Sequence, residues 1–255
     1  MNYDIPEEFV QLAELTRRFV QKELWPQEAV VERLDEIPRD LRMVLRAKAR
    51  ELGLFAFNMP ESAGGPGLPC FAQVLIREQL GQAGVALANL VGRPPKALIA
   101  CSAEQRSRFL DAAVRGDQIW AFALSEPGAG SDAMALSSRA VRDGKGWRLN
   151  GTKHFISHGN EADFVLVIAN AETPAGRAPT AFIVAQEQAG FTVGRVQQKM
   201  GWRGYPICEL FFNDVFVPDE NILGDVGQGI KLGLANIQDS RIGVAAHCLG
   251  FAQRA

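Results

Sequence analysis

Apolar positions near the start of the chain recur every three or four residues. Behind Pro6-Glu7-Glu8, Phe9, Leu12, Leu15, Phe19 and Val20 fall on one helix face. Pro26 interrupts that run. The spacing predicts a second helix over 38–52, with Leu41, Val44, Leu45, Ala49 and Leu52 along one side. Lys48 falls inside this stripe and must reach out to water along its aliphatic stem, and Gly53 has the position of a C-cap. Arg39, Arg42, Arg46 and Arg50 share the opposite side and read as a solvated helix face with no partner assigned. Residues 59–69, dense in Gly and Pro, form a loop. Helical spacing resumes with Phe71, Val74 and Leu75, and Pro94-Pro95 breaks it. Ser102-Ala103-Glu104-Gln105 then has the form of a capping box ahead of Phe109-Leu110.

Near residue 118 the pattern changes to short apolar or alternating runs. Ile119 to Leu124, Ser137 to Val141, Trp147 to Leu149, Phe164 to Ile168, Ala181 to Val184, Phe191 to Val196 and Cys208 to Val217 read as strands. Asp143-Gly144-Lys145-Gly146 is a hairpin turn between two of them. The expected result is a compact antiparallel block, a small barrel or sandwich. After Gly227-Gln228-Gly229 the helical period returns through Leu232, Leu234, Ala235, Ile237, Ile242, Val244, Ala245 and Leu249, with no stop signal, so this helix looks cut. The predicted fold class is α+β. Its parts are an N-terminal α-helical domain over 1–118, a middle β-domain over 119–227 and the beginning of a further helical domain over 228–255.

Composition narrows the function only slightly. Of 255 residues, 47% are hydrophobic and 22% charged, as in an ordinary globular protein able to bury a sizeable core. The 27 basic and 29 acidic residues leave a net charge of -2, which offers no electrostatic footprint for nucleic acid or an anionic membrane. Cys70, Cys101, Cys208 and Cys248 are far apart and read as scattered buried thiols in a reducing compartment. No signal peptide and no bilayer-length apolar run is visible, so the expected location is cytoplasmic.

Two segments carry chemistry. In Ser125-Glu126-Pro127-Gly128-Ala129-Gly130-Ser131-Asp132, the glycines allow close backbone approach to a ligand and successive amides can cradle a phosphate. The same residues also suit an ordinary connector with a Pro-Gly turn. They are not a dinucleotide fingerprint, because β structure rather than a helix follows. In Asn150-Gly151-Thr152-Lys153-His154-Phe155-Ile156-Ser157, strand alternation puts Phe155 and Ser157 on one face, where an aromatic ring and a hydroxyl could meet a flat ring system. Taken alone, that pair also fits a half-buried hairpin. His154 and His158 are four apart but lie on a strand end and loop, so no metal site is expected. Trp202-Arg203-Gly204-Tyr205 reads as a turn beside a ligand mouth, with Trp202 packing.

The order of these segments, with Ala63-Gly64-Gly65-Pro66-Gly67-Leu68 before them and Asn213-Asp214-Val215-Phe216-Val217-Pro218 and Asp239-Ser240-Arg241 after them, resembles the acyl-CoA dehydrogenase family over essentially the whole length. The resemblance implies FAD as cofactor and α,β-dehydrogenation of an acyl-CoA thioester. It places Phe122, Leu124, Ser125, Gly130, Ser131, Phe155, Ile156 and Ser157 along the cofactor, with Phe155 where many relatives have Trp and Ser157 where Thr is usual. Ser131, Gln238, Asp239, Ser240 and Arg241 would face the substrate. Some relatives have a Glu base immediately before the matched arginine. Ser240 stands there in this chain, so the catalytic base is expected beyond Ala255, in a C-terminal helical domain largely missing. The resemblance further implies an electron-transfer flavoprotein as acceptor and a homodimer or homotetramer. Two alternatives remain: a flavin-dependent oxidase or monooxygenase of the same fold, and a non-catalytic truncated subunit that partners a full-length one.

Overall fold

The computed structural model describes residues 4–255. Its helical part comprises α1 (Glu7–Phe19), α2 (Glu28–Leu34), α3 (Arg39–Glu51), α4 (Cys70–Leu80), α5 (Val85–Ala88), α6 (Ala103–Gln105) and α7 (Asp111–Arg115). They close over Phe19, Val20, Leu24, Leu45, Ala49, Phe57, Ile76 and Leu87. Between α1 and α2 the chain does not stop at Pro26 but passes through a wide turn at Val20–Leu24 and a tight one at Trp25–Gln27, where Pro26 lacks only an N–H that needs no partner. The Ser102 capping box forms, each partner bonding the other's backbone N–H at 3.0 and 3.3 Å. Gly53 adopts φ +68°, and the Gly53 and Leu54 amides bond back to the Arg50 and Ala49 carbonyls, a Schellman end to α3.

The α3 face differs from the expectation. Leu45 and Ala49 are buried, but Val44 and Leu52 are exposed. The arginine side is solvated only in part: Arg39 and Arg50 are exposed, Arg42 and Arg46 half-buried. Arg42 pairs with Glu161 at 2.7 Å, Arg46 donates to the Gly116 carbonyl, and Arg50 donates to the Arg115 carbonyl at 2.6 Å. This helix is packed on two sides, by its own helical neighbours and by the loops beneath the sheet, and apolar spacing reveals only one of them. Lys48 is held by Glu23 at 2.5 Å. In α4 the buried residues are Ala72, Ile76, Arg77 and Leu80, so Phe71 lies outside.

The β part is one sheet: β1 (Trp120–Ala123), β2 (Arg139–Asp143), β3 (Gly146–Ser157), β4 (Phe164–Thr173), β5 (Gly176–Ala185), β6 (Phe191–Val196), β7 (Ile207–Pro218) and β8 (Ile222–Leu223). The order is β6-β7-β3-β2-β4-β5-β8. Most neighbours are antiparallel, but β1 and β2 both lie parallel to β4, end to end along its edge. That arrangement cannot be read from local patterns, because parallel partners are joined through distant chain. The Asp143 to Gly146 hairpin forms as predicted, with Gly144 at φ +55°. Cys208 is buried in this sheet, whereas Cys70 and Cys248 are exposed, so only part of the expected thiol burial holds.

The last element, α8 (Gly229–Arg254), returns across the helical part. Its buried residues are Gly229, Gly233, Gly243, Ala246 and Gly250. Leu234, Ile237, Ile242, Val244 and Leu249 are exposed. Close backbone approach to α4, which only small residues permit, sets this orientation against the larger apolar side chains. At the far end Arg254 lies over the Trp25 ring and pairs with Glu28.

Candidate functional site

A buried ion pair ties the two chemistry-bearing segments together. Lys153 of β3 is 0% exposed and donates to Glu126 Oε1 at 2.7 Å, the Leu124 carbonyl at 3.0 Å and the Ile168 carbonyl at 2.6 Å. All three ammonium protons therefore have acceptors, the condition under which a lysine tolerates such burial. Glu126 also accepts from the Ser137 amide and hydroxyl and from the Ser138 amide. Burial pushes its carboxyl up, but the hydrogen bonds from Lys153, Ser137 and Ser138 outweigh burial and hold it down at about 2. Burial lowers Lys153, opposed by Glu126. The glycine loop closes on itself through paired Glu126 and Ala129 backbone bonds, and the Ser125 carbonyl accepts from the His154 amide at 2.9 Å.

The β3 strand reaches this arrangement through an irregularity. Its register against β7 slips between Lys153 and Ile156, and Phe155 has φ +57°. Lys153 and Ile156 both point into the interior, three residues apart. Beyond the bulge alternation resumes, so Phe155 and Ser157 do share the outer face. The Phe155 ring is 64% exposed and stacks on His154 at 4.0 Å. His154 Nε2 lies 3.0 Å from Glu209, and His158 Nδ1 lies 2.7 Å from Glu161. In Glu161 burial again works upward, and the bonds from His158 and Arg42 bring the carboxyl down to about 2. Among the described residues, the hydroxyls of Ser125, Ser131 and Ser157 have no protein hydrogen-bond partner. A Cβ at Gly128 or Gly130 would meet open space.

Leu124 and Ser125 thus sit against Lys153 and His154. Phe122 and Ser157 meet in the wall of a cavity of about 270 Å³ between the helices, the sheet and α8. Gly130 and Ser131 lie on the exposed limb of the loop, and no hydrogen bond joins them to Phe155, Ile156 or Ser157. A second cavity of about 280 Å³ runs on beneath α8 among Phe57, Leu80, Val85 and Val244. The two share Asn89, Gly92, Arg93, Tyr205 and Ser240. On α8 the helical period separates the four residues singled out in sequence. Ser240 lines both cavities, Asp239 is turned inward and Gln238 and Arg241 are exposed.

Asp239 is an ion-pair centre. Lys96 lies 2.5 Å from it, and Arg77 and Arg93 each 4.0 Å. Trp202 stands half exposed against Tyr205, and the turn docks through Gly204 N–H to Asp35 and Arg203 to the Glu32 carbonyl. Sequence reasoning passed over Glu126, Lys153, Arg77, Arg93 and Lys96. The signal for the first two was a charge at an inward strand position. For Arg93 and Lys96 it was a pair of cations flanking the Pro94-Pro95 break.

Comparison with known proteins bears on the whole arrangement. Residues 6–117 match the family model of the acyl-CoA dehydrogenase N-terminal domain, and residues 121–215 match that of the middle domain. An acyl-CoA dehydrogenase of Bacillus subtilis (strain 168) is 34% identical over 98% of this chain and 67% of its own length. The mitochondrial short-chain specific acyl-CoA dehydrogenase of Mus musculus is 35% identical over 98% of the chain and 61% of its own length. A solved acyl-CoA dehydrogenase from Bacillus anthracis, complexed with FAD, superposes with a TM-score of 0.85 at 30% identity, covering 98% of this chain and 44% of that one. The chain therefore spans about three fifths to two thirds of the length of these curated relatives. It belongs to the acyl-CoA dehydrogenase family.

Proposed function

We propose that this chain contributes the flavin-facing and acyl-facing walls of an enzyme that removes two hydrogens across the α,β bond of an acyl-CoA thioester. The observation that carries the reading is the Lys153–Glu126 clasp, which ties the Ser125 loop to β3, the strand that ends at Ser157. The residues present suit FAD. An exposed aromatic face at Phe155, hydroxyls at Ser125, Ser131 and Ser157 without protein partners among the described residues, and an open glycine loop at Gly128 and Gly130 are the donor set and the flat surface that a ring with a diphosphate tail requires. In this reading Phe122, Leu124, Ser125, Phe155, Ile156 and Ser157 border the ring, and Gly130 and Ser131 take the diphosphate side.

Bound FAD supplies the hydride acceptor. The protein's part is placement and exclusion of water. Phe122, Trp120 and Leu90 give the first cavity an apolar side, and Phe57, Leu80, Val85 and Val244 give the acyl chain apolar contacts in the second, whose wall also has Arg77, Arg93 and His247. Neither cavity has an Asp or Glu in its wall among the described residues. Asp239 is already engaged by three cations, and Ser240 donates to the Asn236 carbonyl. The proton-abstracting carboxylate is accordingly taken from outside these walls. The exposed row Leu234, Ile237, Ile242, Val244 and Leu249 favours cover by a further helical layer or subunit, in keeping with a homo-oligomer that passes electrons to an electron-transfer flavoprotein. The same row keeps open the reading as a non-catalytic partner subunit. No helix of the described residues is long and apolar enough to cross a membrane.

Titrating the purified chain with FAD, followed by visible absorbance and flavin fluorescence, tests the cradle. Ser157→Ala is expected to weaken uptake by roughly three- to tenfold, the loss of one hydrogen bond. Phe155→Ala is expected to weaken it further, through lost ring contact. No uptake by the folded wild-type chain overturns the reading.

A further inference from the structure

Among the described residues, the wall of the cavity beneath α8 has two arginines, Arg77 and Arg93, and no carboxylate, and an ion-pair cluster lies behind it. Arg77 from α4, Arg93 before Pro94, and Lys96 converge on the single carboxylate of Asp239. Among the described residues, no other acid lies within ion-pair distance of any of the three. Three cations and one anion leave two formal positive charges in a region where the Arg77 side chain is only 10% exposed and that of Asp239 17% exposed. A charge taken from water is costly unless paired, so an unbalanced cluster of this depth favours an incoming anion. Arg93 is placed to receive it. Arg93 is among the residues that line both cavities. His247 lines the same inner cavity, and its Nε2 is buried without a hydrogen-bond partner. Arginine presents a planar fork that matches a carboxylate, and the histidine adds a further polar contact.

We propose that the inner cavity is a subsite for the carboxylate at the far end of a short acyl chain, with Arg93 as its main ligand and His247 beside it, so that the preferred thioester carries an anionic rather than a methyl-ended tail. Apolar wall residues such as Phe57, Leu80, Val85 and Val244 accommodate the methylenes between thioester and carboxylate. The identity of the ligand as a thioester rests on the function proposed above. The anion subsite itself rests on the cluster.

Two measurements separate the claims. In the first, dissociation constants of the FAD-supplemented chain are compared for glutaryl-CoA and pentanoyl-CoA, which have the same chain length and differ only at the terminal group. Glutaryl-CoA is expected to bind on the order of tenfold tighter at low salt, the scale of one hydrogen-bonded charge pair. In Arg93→Gln the ratio is expected to fall close to one. Equal binding in the wild type, or a preference that survives in Arg93→Gln, overturns the proposal. In the second, thermal unfolding is followed with added glutarate, using sodium chloride at matched ionic strength as control. A stabilisation by glutarate that Arg93→Gln removes supports the anion subsite even where neither thioester binds, an outcome that would instead sink the acyl-CoA reading. Absence of both thioester preference and glutarate stabilisation overturns the subsite. Circular dichroism of Arg93→Gln shows whether the variant is folded, and Arg93→Lys, which keeps the charge without the fork, is expected to retain part of the preference.

Discussion

Lys153 carries more of this architecture than any residue with obvious chemical appeal. Its ammonium satisfies two carbonyls and one carboxylate that belong to two different segments, the stretch after β1 and strand β4. Removing one partner of such a buried pair leaves an uncompensated charge, so Lys153→Met is expected to cost about 3–5 kcal/mol in denaturant unfolding. Glu126→Gln should cost less, about 1–3 kcal/mol, because an amide oxygen can still accept from Lys153. If the methionine variant loses less stability than the glutamine variant, the clasp does not work as described. The two serine-bearing motifs were legible in the sequence because their glycines and hydroxyls are unusual for strand ends. The lysine between them was not, since a cation at an inward strand position looks like an error of phase until its three acceptors are known.

Among elements, α8 gives the clearest contrast between what periodicity reveals and what packing decides. Its existence and its start after Gly227-Gln228-Gly229 follow from the sequence, and the helix runs from Gly229 to Arg254. Its buried side does not follow, because small residues rather than large apolar ones face α4. A Cβ at Gly250 would overlap the Glu78 carbonyl oxygen, and one at Gly243 would overlap the Arg77 guanidinium. Backbone cannot move aside as a side-chain tip can. Gly250→Ala is therefore expected to destabilise by about 1–3 kcal/mol, despite its better helix propensity, and Leu249→Ala beside it by much less. Thermal unfolding of the two variants checks the ordering. Similar reasoning explains α3. Its apolar stripe predicted one contact face, while Arg42 and Arg46 make a second that hydrophobic spacing does not report.

At the scale of the whole molecule, helical and β parts are joined by polar contacts as well as apolar ones. Arg42 meets Glu161, and Gln105 donates to the Glu220 and Ile222 carbonyls. Glu126 and Glu161 are both held near 2 in the folded state, from an ordinary value of 4.5. A depressed carboxyl contributes stability that is complete above its unfolded value and is lost as pH falls through its folded value. Stability is thus expected to be level above about pH 5 and to decline steeply between about pH 4.5 and 2. Buried Glu126 alone would account for roughly 3 kcal/mol of that decline, at about 1.4 kcal/mol per pKa unit. Denaturant midpoints taken across that range should fall less steeply in Glu126→Gln, and an unchanged slope would remove the clasp from the acid transition. The general division into helices, sheet and closing helix was readable from the alternation of periods. The parallel placement of β1 and β2 along β4 was not, because it depends on pairing between distant stretches.

The bulge in β3 sets the parity of everything downstream of it. With one residue too many between Lys153 and Ile156, the strand changes from facing inward at odd positions to facing inward at even ones. Straightening the strand over the same residues would turn Phe155 and Ser157 toward the interior and Ile156 outward, whereas deleting His154 or Phe155 would remove the bulge and leave Ile156 inward and Ser157 outward. The extra residue is therefore what lets a strand of this length bury both Lys153 and Ile156 and still carry Ser157 on its outer side.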